Sequence, residues 1–451
     1  MILFRFFLSL IPVYFVGWLV LSFFLDQTSH FTRGERNALS WGLGWGFLTL
    51  EMFYFALLKL PWNPFLLLLP WCLLFPFALG RRKIVSPASI SLNPFERSLL
   101  LFFLFLFLYV SIDALTFPLT YYEFWDTWSI WGHKAKAFAL KRSVDFSFFT
   151  DPSRYFTHQD YPLLLPLSEG WIYLGLGKID EITVKLLFSL FFLSFLVLFW
   201  GACRREKNRK DSLLLTGFLA TLPIFLQYVV QGYAELPLTF YYTFSTLYLY
   251  FWCQTGRRED LWMGIFLSLF AAWTKNEGLA LFVLNASLFG IGHFVSFPGS
   301  PRRKLSEGLL LFSPVFFLLP WWLFLRWAGL SSEFFPQLRA GTFLALFWRL
   351  PVILMAFFWK ILDLTKWNFL WIGFLLFGII YWRDLFSFSK RILVLALFLH
   401  FFLYIVIYVI HPLDVLWVMD VDDSFNRILL HAAPVSLFLL GSLLRWENGT
   451  S

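Results

Sequence analysis

Charged residues are scarce in this sequence. Asp, Glu, Lys and Arg make up 14% of the 451 residues, whereas about a quarter of residues are charged in soluble globular proteins. Apolar residues make up 59%, and many of them lie in continuous runs. This composition excludes an ordinary soluble domain and indicates an integral membrane protein. Because the runs approach the roughly 20 residues that a helix needs to cross a bilayer, they predict an all-α helical bundle.

Cysteine and long polar stretches are also scarce. The three cysteines, Cys72, Cys203 and Cys253, lack metal-ligand spacing and are interpreted as packing residues. The longest stretches outside apolar runs have about 40 residues, which is too short for a separate soluble domain. The first apolar run, residues 6–25, has no obvious small-residue cleavage site and is interpreted as a retained span.

We therefore predict a single polytopic domain over residues 1–451 with about 11–14 transmembrane helices. The net charge of +8 lies mostly in short basic connections, which indicates cytoplasmic loops and not nucleic-acid binding. Residues 120–161 and 411–427 then become external loops, while the side of the N-terminus stays open. Residues 162–177 and 344–362 contain prolines and charges and are predicted to be interfacial or re-entrant helices. The predicted spans are residues 6–25, 38–60, 62–79, 98–119, 182–202, 212–231, 232–252, 261–275, 278–297, 308–328, 367–382, 391–410 and 428–445.

The polar stretch at residues 121–162 is the feature around which the sequence is organised. A helical wheel at about 100° per residue places four polar side chains on one face: Asp126, Ser129, His133 and Lys136. The opposite face is apolar. This pattern predicts an amphipathic helix in the membrane interface, with its apolar face toward the acyl chains. The polar face would present a carboxylate, an imidazole and an ammonium group to a lipid headgroup.

Asp126 is the candidate catalytic residue. Its carboxylate could act as general base on an acceptor hydroxyl, or help hold a divalent cation such as Mg²⁺ or Mn²⁺. On an exposed helix face, removing its charge should uncover no buried partner. Glu123 is a weaker catalytic candidate because it lies off that face. Basic side chains suit the phosphate of a lipid headgroup, whose charge they could neutralise as it departs. They are Lys134, Lys136, His158 and Arg427.

Further ionisable side chains collect at predicted span ends on the external side. We predict that six of them bind substrate: His133, Asp160, Tyr161, Glu235, Lys275 and Glu277. Each also has a plainer explanation, because charges at helix ends often anchor a span at the interface or stabilise a helix terminus. Their convergence on one side favours a site. His293, His400 and His431 stand alone in apolar runs and are interpreted as packed core residues.

The order of these motifs resembles that of the GT-C glycosyltransferases, multi-spanning enzymes that use polyprenyl-phosphate sugars. The motifs are WDTWSIWGHKAKAF and HQDYPLLLP in the first external loop, GYAELPL at a span start, TKNEGL at a later turn and DDSFNRILLHAAP at the start of the last span. The resemblance covers the chain from about residue 98 onward. It is closest to the bacterial branch related to protein O-mannosyltransferases and to the lipid A aminoarabinose transferase.

The resemblance implies sugar transfer from a polyprenyl-phosphate donor to a hydroxyl of a lipid, glycan or protein, outside the cytoplasmic membrane if the protein is bacterial. It implies that Asp126 is the catalytic base or a metal-linked carboxylate. The family often has a lysine before its proline-rich turn; here that turn follows His158 without a lysine, so His158 or Lys136 would substitute. The family's small-acidic-Leu-Pro motif matches residues 234–237, with Glu235 in place of the commoner aspartate.

Two other classes of protein stay open from the sequence. A transporter or flippase of a lipid-linked glycan would carry ionisable residues along a path through the bundle midplane, and would have discontinuous, repeat-related helices. A structural subunit of a membrane assembly would need none of the acidic positions. The concentration of ionisable residues on the external side favours an enzyme.

Overall fold

The protein, described by a computed structural model, is helical throughout its described part, which is residues 1–25, 30–79, 93–116, 125–296, 300–331, 339–387, 390–412 and 423–444. Its regular elements there are all helices, which confirms the predicted all-α class. In chain order the helices are α1 (Ile2–Phe24), α2 (Arg33–Leu57), α3 (Pro64–Leu79), α4 (Pro94–Thr116), a π-helical turn (Asp126–Gly132), α5 (His133–Lys141), α6 (Leu164–Leu176), α7 (Leu186–Arg204), α8 (Arg209–Ala220), α9 (Pro223–Gln231), α10 (Glu235–Thr255), α11 (Arg258–Thr274), α12 (Asn276–Ser296), α13 (Pro301–Leu310), α14 (Pro314–Trp327), α15 (Ala340–Leu346), α16 (Leu350–Ile361), α17 (Leu364–Trp367), α18 (Leu370–Ile380), α19 (Trp382–Leu385), α20 (Arg391–Ile410) and α21 (Ser424–Leu443).

Many of these helices can cross a membrane. Within the described ranges, eight segments are long and apolar enough to do so, or nine if α8 and α9, which are bent by 59° at their junction, form one broken span. The chain is therefore a multi-pass membrane protein, as predicted. Three further long helices, α2, α10 and α11, are largely buried. They form the centre on which the other helices pack.

Close packing between α1 and α2 depends on glycine. A Cβ atom on Gly17 would lie 1.8 Å from the carbonyl oxygen of Ser40, and one on Gly44 would lie 2.0 Å from that of Val13. Small residues let helix backbones approach each other, which is how many membrane helices associate. The contact joins the N-terminal helix to the buried α2.

Charged side chains mark the two ends of the bundle. At one end, which we call the basic end, Arg205 lies 2.7 Å from Asp260 and 3.6 Å from Glu35, and Lys390 lies 2.8 Å from Glu206. The other end, which we call the loop end, holds the polar segment 125–161 and the first residues of α10, α12 and α21. Successive long helices therefore run between the same two ends in alternating directions.

Contacts of α1 show at which end of the bundle the N-terminus lies. The side chain of Arg5 donates to the carbonyl oxygen of Leu176 at 3.0 Å, beside the residues that lead into α7 at the loop end. At the other end of α1, the rings of Phe24 and Trp262 lie 4.9 Å apart, and Trp262 is in the first turns of α11 at the basic end. The N-terminus, whose side the sequence left open, therefore lies at the loop end.

Two stretches were predicted not to cross the membrane. The first contains α6, a buried helix of 13 residues that is shorter than a span. The second overlaps Gly341–Ile361, which has the length and hydropathy of a span. Its charged side chains nevertheless contact the loop end, because Arg349 donates to the carbonyl oxygen of His411 at 2.7 Å and Lys360 lies 3.9 Å from Asp423. Length permits a span here, whereas these contacts hold both ends of α16 at the loop end.

The predicted interfacial helix differs from expectation. Residues Asp126–Gly132 form a π-helical turn, and α5 continues from it. Because a π-helix has wider turns than an α-helix, a wheel at about 100° per residue misplaces the side chains that precede α5. The apolar side chains Trp131, Ala135 and Phe138 are fully buried. The apolar face therefore packs inside the protein and not against the acyl chains.

Candidate functional site

Charged side chains from separate helix ends meet at the loop end. We call this group the ion cluster: Asp126, Glu235, Lys275, Glu277 and Arg427. Arg427 Nη1 donates to Asp126 Oδ2 at 2.7 Å and lies 3.7 Å from Glu235 Oε1. Lys275 Nζ donates to Glu235 Oε1 at 2.8 Å and lies 2.9 Å from Glu277 Oε1. The side chains of Glu235 and Lys275 are 1% and 6% exposed, so this pair is buried.

Helix starts position most of the ion cluster. Glu235 is the first residue of α10, while Glu277 and Arg427 lie in the first turns of α12 and α21. Carboxylates at these positions are favoured by the positive end of the helix dipole. Lys275 has an extended backbone between α11 and α12, with φ −157° and ψ 158°. The break in the helix lets one short segment supply Lys275 and Glu277 to the same site.

Two buried carboxylate oxygens in the ion cluster have no hydrogen-bond partner among the residues that the structure describes. They are Glu235 Oε2 and Glu277 Oε2. Buried polar atoms in proteins are nearly always paired with protein or water, so these oxygens can accept hydrogen bonds from a ligand. The ion cluster also has three carboxylates against two cations, which leaves it with an excess negative charge when all are ionised.

The turn that precedes α6 lies against the ion cluster. Asp160 Oδ2 accepts a hydrogen bond from Asn276 Nδ2 at 2.6 Å, and Asn276 is next to Lys275 in the chain. Lys275 Nζ lies 5.8 Å from the ring centre of Tyr161. The ring of His158 stacks on Tyr161 with centres 4.8 Å apart. The predicted substrate-binding residues Asp160 and Tyr161 are thus brought to the ion cluster.

Lys134 holds this turn from inside the protein. Its ammonium group donates to the carbonyl oxygen of His158 at 2.6 Å, and the side chain is fully buried. Burial lowers the pKa of Lys134 to about 7, although the nearby negative charge of Asp160 acts to raise it. Burial also raises the pKa of Asp160 and lowers the pKa of His158. The structure therefore makes Lys134 an internal support, where the sequence predicted a contact with the phosphate of a lipid headgroup.

A cavity of about 500 Å³ lies beside the ion cluster. Asp160 and Asn276 line its polar part, and apolar side chains such as Leu279 and Trp322 form its wall. Arg326, in the last turn of α14, also lines the cavity and is exposed. An apolar wall with a few polar groups and an arginine suits an amphiphilic ligand that carries an anionic group.

The structure places two of the predicted binding residues apart from the ion cluster. Lys136 pairs with Glu181 near the surface. His133 is half-buried beside Phe148 and Phe156, with its ring centre 5.7 Å from each. The helical wheel placed His133 and Lys136 on the same face as Asp126. The π-helical turn at Asp126–Gly132 precedes both residues, and its wider turns put Asp126 on a different face from theirs.

The described residues do not supply a metal site at Asp126. Within the described ranges, no group of three His, Cys, Asp or Glu side chains could hold a metal ion. Asp126 instead faces Arg427, which also corrects the expectation that its charge has no buried partner. Glu123, the second catalytic candidate, lies outside the described residues. Among the described residues, Asp126 is paired with Arg427 and has no further ligands for the expected divalent cation.

Sequence reasoning missed two residues at this site. Asn276 stands between two charged residues in TKNEGL, and its position at a helix start was a usable signal. Arg326 is a lone charge at the end of an apolar run, where an interfacial anchor is the ordinary explanation. No sequence signal distinguished Arg326 from an anchor, because its role depends on the packing of α14 on α11, near the start of α12.

Comparison with known proteins assigns no family. No family model, curated protein or solved structure matches the chain. The likeness to GT-C enzymes therefore rests on the motifs alone.

Proposed function

We propose that the protein is a GT-C type glycosyltransferase that moves a sugar from a polyprenyl-phosphate donor to a hydroxyl of a lipid, glycan or protein. The observation that carries the proposal is the ion cluster beside an amphiphilic cavity. The apolar wall of the cavity suits a prenyl chain. Arg326 and Arg427 suit the phosphate, because an arginine guanidinium can bind a phosphate with two parallel hydrogen bonds.

In this proposal the donor phosphate competes with Asp126 for Arg427. Binding of the phosphate releases the carboxylate of Asp126, which then accepts the proton of the acceptor hydroxyl. The hydroxyl oxygen bonds to the anomeric carbon, and the bond from that carbon to the phosphate oxygen breaks. Polyprenyl phosphate leaves with the electron pair, and Arg427 and Lys275 stabilise its charge. Attack opposite the leaving group inverts the anomeric configuration.

The sugar would be recognised by the acidic groups of the site. Sugar hydroxyls donate hydrogen bonds, and the unpartnered oxygens of Glu235 and Glu277 accept them. Asp160 offers a further acceptor on the cavity side. His158 stacks on Tyr161 at the same turn and supports this wall of the site.

The proposal places the loop end outside the cytoplasm. Basic residues concentrate in the connections at the opposite end, such as Arg204 to Lys210, and such connections stay in the cytoplasm. In a bacterium the site would face the periplasm from the cytoplasmic membrane. The proposed bundle has about 11–14 spans, with short helices of the first external loop near the membrane surface.

One observation bears on the alternative of a glycan transporter or flippase. His400 and His431 lie within the membrane part of the bundle and are 0% and 1% exposed. Such residues mark pathways in many transporters. Here, however, the rings of Tyr242 and Tyr404 lie 5.3 Å and 4.9 Å from the His400 ring. Packing this tight leaves no passage for a sugar, so we retain transfer chemistry at the loop end.

The test is polyprenyl-phosphate release by purified protein in the presence of native membrane extract as the acceptor source. A panel of polyprenyl-phosphate monosaccharides serves as the donor probe. We expect one member to be consumed, and Asp126→Asn to lower turnover about 100-fold or more because the amide cannot accept a proton. Release from no donor in the panel would overturn the proposal.

The matched control is Asp151→Asn, in the same loop but outside the ion cluster. Asp151 caps the 3₁₀ helix Pro152–Thr157, and asparagine can cap it equally well. Thermal unfolding of each variant separates lost chemistry from lost fold, since Asp126→Asn also changes the partner of Arg427. Glu123→Gln tests the second carboxylate. Normal turnover in Asp126→Asn together with a loss in Glu123→Gln would move the base to Glu123.

A further inference from the structure

A polar stripe runs along the buried helix α10. Its members are Glu235, Thr239, Tyr242, Thr243, Thr246 and Tyr250. Their spacing places them within about 100° of the helix circumference, and all six are buried. From Glu235 to Tyr250 the stripe is about 22 Å long at 1.5 Å per residue. It thus covers most of the hydrocarbon core of a bilayer, which is about 30 Å thick.

Polar side chains on three other helices face this stripe. His400 of α20 stacks on Tyr242, and Asn285 Nδ2 of α12 donates to Thr246 Oγ1 at 2.9 Å. His431 of α21 lies one turn beyond Arg427, and α21 packs on α10. The stripe therefore continues inward from the ion cluster.

The stripe reaches charged residues at the basic end. Tyr250 donates to Glu206 Oε1 at 3.0 Å, and Lys390 Nζ lies 3.2 Å from the Tyr250 hydroxyl. Lys390 and Glu206 form a partly exposed ion pair. The stripe thus extends from the ion cluster at the loop end to an ion pair at the basic end.

Many buried polar atoms along this route have no hydrogen-bond partner within the described part of the chain. They are Tyr242 Oη, Thr243 Oγ1, Asn285 Oδ1, His400 Nδ1, Tyr404 Oη, His431 Nδ1 and His431 Nε2. Buried groups of this kind usually bond to internal water, which makes about three hydrogen bonds at such sites. Ionisable residues at membrane depth are costly and commonly serve as proton relays.

We propose that this stripe is a proton pathway between the ion cluster and the Glu206–Lys390 pair. Protons pass along hydroxyl, imidazole and water groups without needing an open channel, so the tight packing that excludes a sugar does not exclude them. No covalent bond forms or breaks apart from proton exchange between neighbouring groups. The pathway is independent of the proposed sugar transfer.

The experiment measures proton flux into vesicles of phosphatidylcholine and phosphatidylglycerol that contain the purified full-length protein. A trapped pH-sensitive dye reports the flux, and a potassium gradient with valinomycin drives it. We expect flux above that of protein-free vesicles, and its loss to that level in Tyr242→Phe, which removes one hydroxyl and keeps the ring. No sugar donor is present, so failure of the proposed function would leave this result unchanged.

The matched control is Tyr241→Phe, at the neighbouring position of α10. Tyr241 is also fully buried, but its hydroxyl donates to the Gly42 carbonyl oxygen at 2.8 Å on another face of the helix. It should keep the flux. His400→Asn is a second variant if Tyr242→Phe does not fold, and it should lose the flux too. Flux no higher than in protein-free vesicles, equal flux in all variants, or an equal loss in Tyr241→Phe would each overturn the pathway.

Discussion

At the residue scale, the buried pair of Glu235 and Lys275 dominates the energetics of the ion cluster. Two buried charges that pair well can be close to neutral for stability relative to apolar residues. Removing one of them leaves the other with a single oppositely charged neighbour, Arg427 for Glu235 or Glu277 for Lys275, in a medium of low polarity. The ion cluster is therefore sensitive to single changes and tolerant of matched ones.

We expect Lys275→Met and Glu235→Leu each to lower the free energy of unfolding by about 3–5 kcal/mol. The double variant should lose less than the sum of the two, because neither charge is then left alone. Denaturant unfolding in detergent measures all three. Lys136→Gln is the control, since the partly exposed pair of Lys136 and Glu181 should contribute about 1 kcal/mol or less. Additive losses in the double variant would show that Glu235 and Lys275 are not coupled.

Lys134 gives the fold a pH dependence of known sign. Its pKa is about 7 in the folded protein and 10.5 ordinarily, so between these values the unfolded chain binds more protons. Stability from this group therefore rises as the pH increases from 7 toward 10.5. We expect the melting temperature of the wild type to rise relative to that of Lys134→Met as the pH increases from 7.5 to 9. A difference that stays constant over this range would mean that Lys134 is charged in the fold.

At the element scale, the π-helical turn decides where Asp126 lies. Thr127 Oγ1 donates to the carbonyl oxygen of Gln231 at 2.5 Å, which ties the turn to the end of α9. Asp126 is thereby fixed next to the start of α10, where Arg427 and Glu235 also lie. π-helical turns are often found at functional sites, and here the turn brings a loop carboxylate to three helix ends.

The close packing of α1 and α2 at glycine can be tested by comparing a glycine-to-alanine change at this contact with the same change in another helix. Alanine favours a helix over glycine by about 1 kcal/mol, but a Cβ on Gly44 would lie 2.0 Å from the Val13 carbonyl oxygen. We expect Gly44→Ala to lower the free energy of unfolding by about 1–3 kcal/mol through overpacking. Gly308→Ala, in α13, has no atom within 4 Å of the new Cβ and should be neutral or stabilising. Equal melting temperatures for the two variants would contradict the close approach of α1 and α2.

At the scale of the whole molecule, the two charged ends predict the topology. In a variant without its native cysteines, new cysteines at Ser147 and Pro412 should react with a membrane-impermeant thiol reagent from outside the cell. A cysteine at Lys210 should react only after the membrane is permeabilised, because this position belongs to the basic connection at the other end of the bundle. Labelling of positions 147 and 412 from opposite sides would overturn the topology.

The stretch around α16 gives a second topological test. Its length and hydropathy permit a span, whereas Arg349 and Lys360 both contact residues at the loop end. We expect cysteines at Arg339 and Asp363, which flank the stretch, to react from the same side as position 147. Reaction from opposite sides would make the stretch a true span.

The sequence by itself determined the class of this protein. Long apolar runs separated by short basic connections suffice to predict a multi-pass helical bundle, because the bilayer core requires every backbone group to be bonded within a helix. The sequence also located the acidic positions of the site, since Glu235 and Glu277 stand at helix starts that turn chemistry and hydropathy reveal. Periodicity was enough to predict a helix in the first external loop, but it could not predict that this helix begins with a π-helical turn.

Only the tertiary structure decided which charges meet. Lys134 and Lys136 are two residues apart, yet one is buried under His158 and the other pairs with Glu181 at the surface. Periodicity cannot separate them, because partner choice depends on how α5 packs on α6 and on the π-helical turn before it. The same holds for His400 and His431, which look like isolated core residues in the sequence. They join the polar stripe of α10 only because α20 and α21 pack against that face.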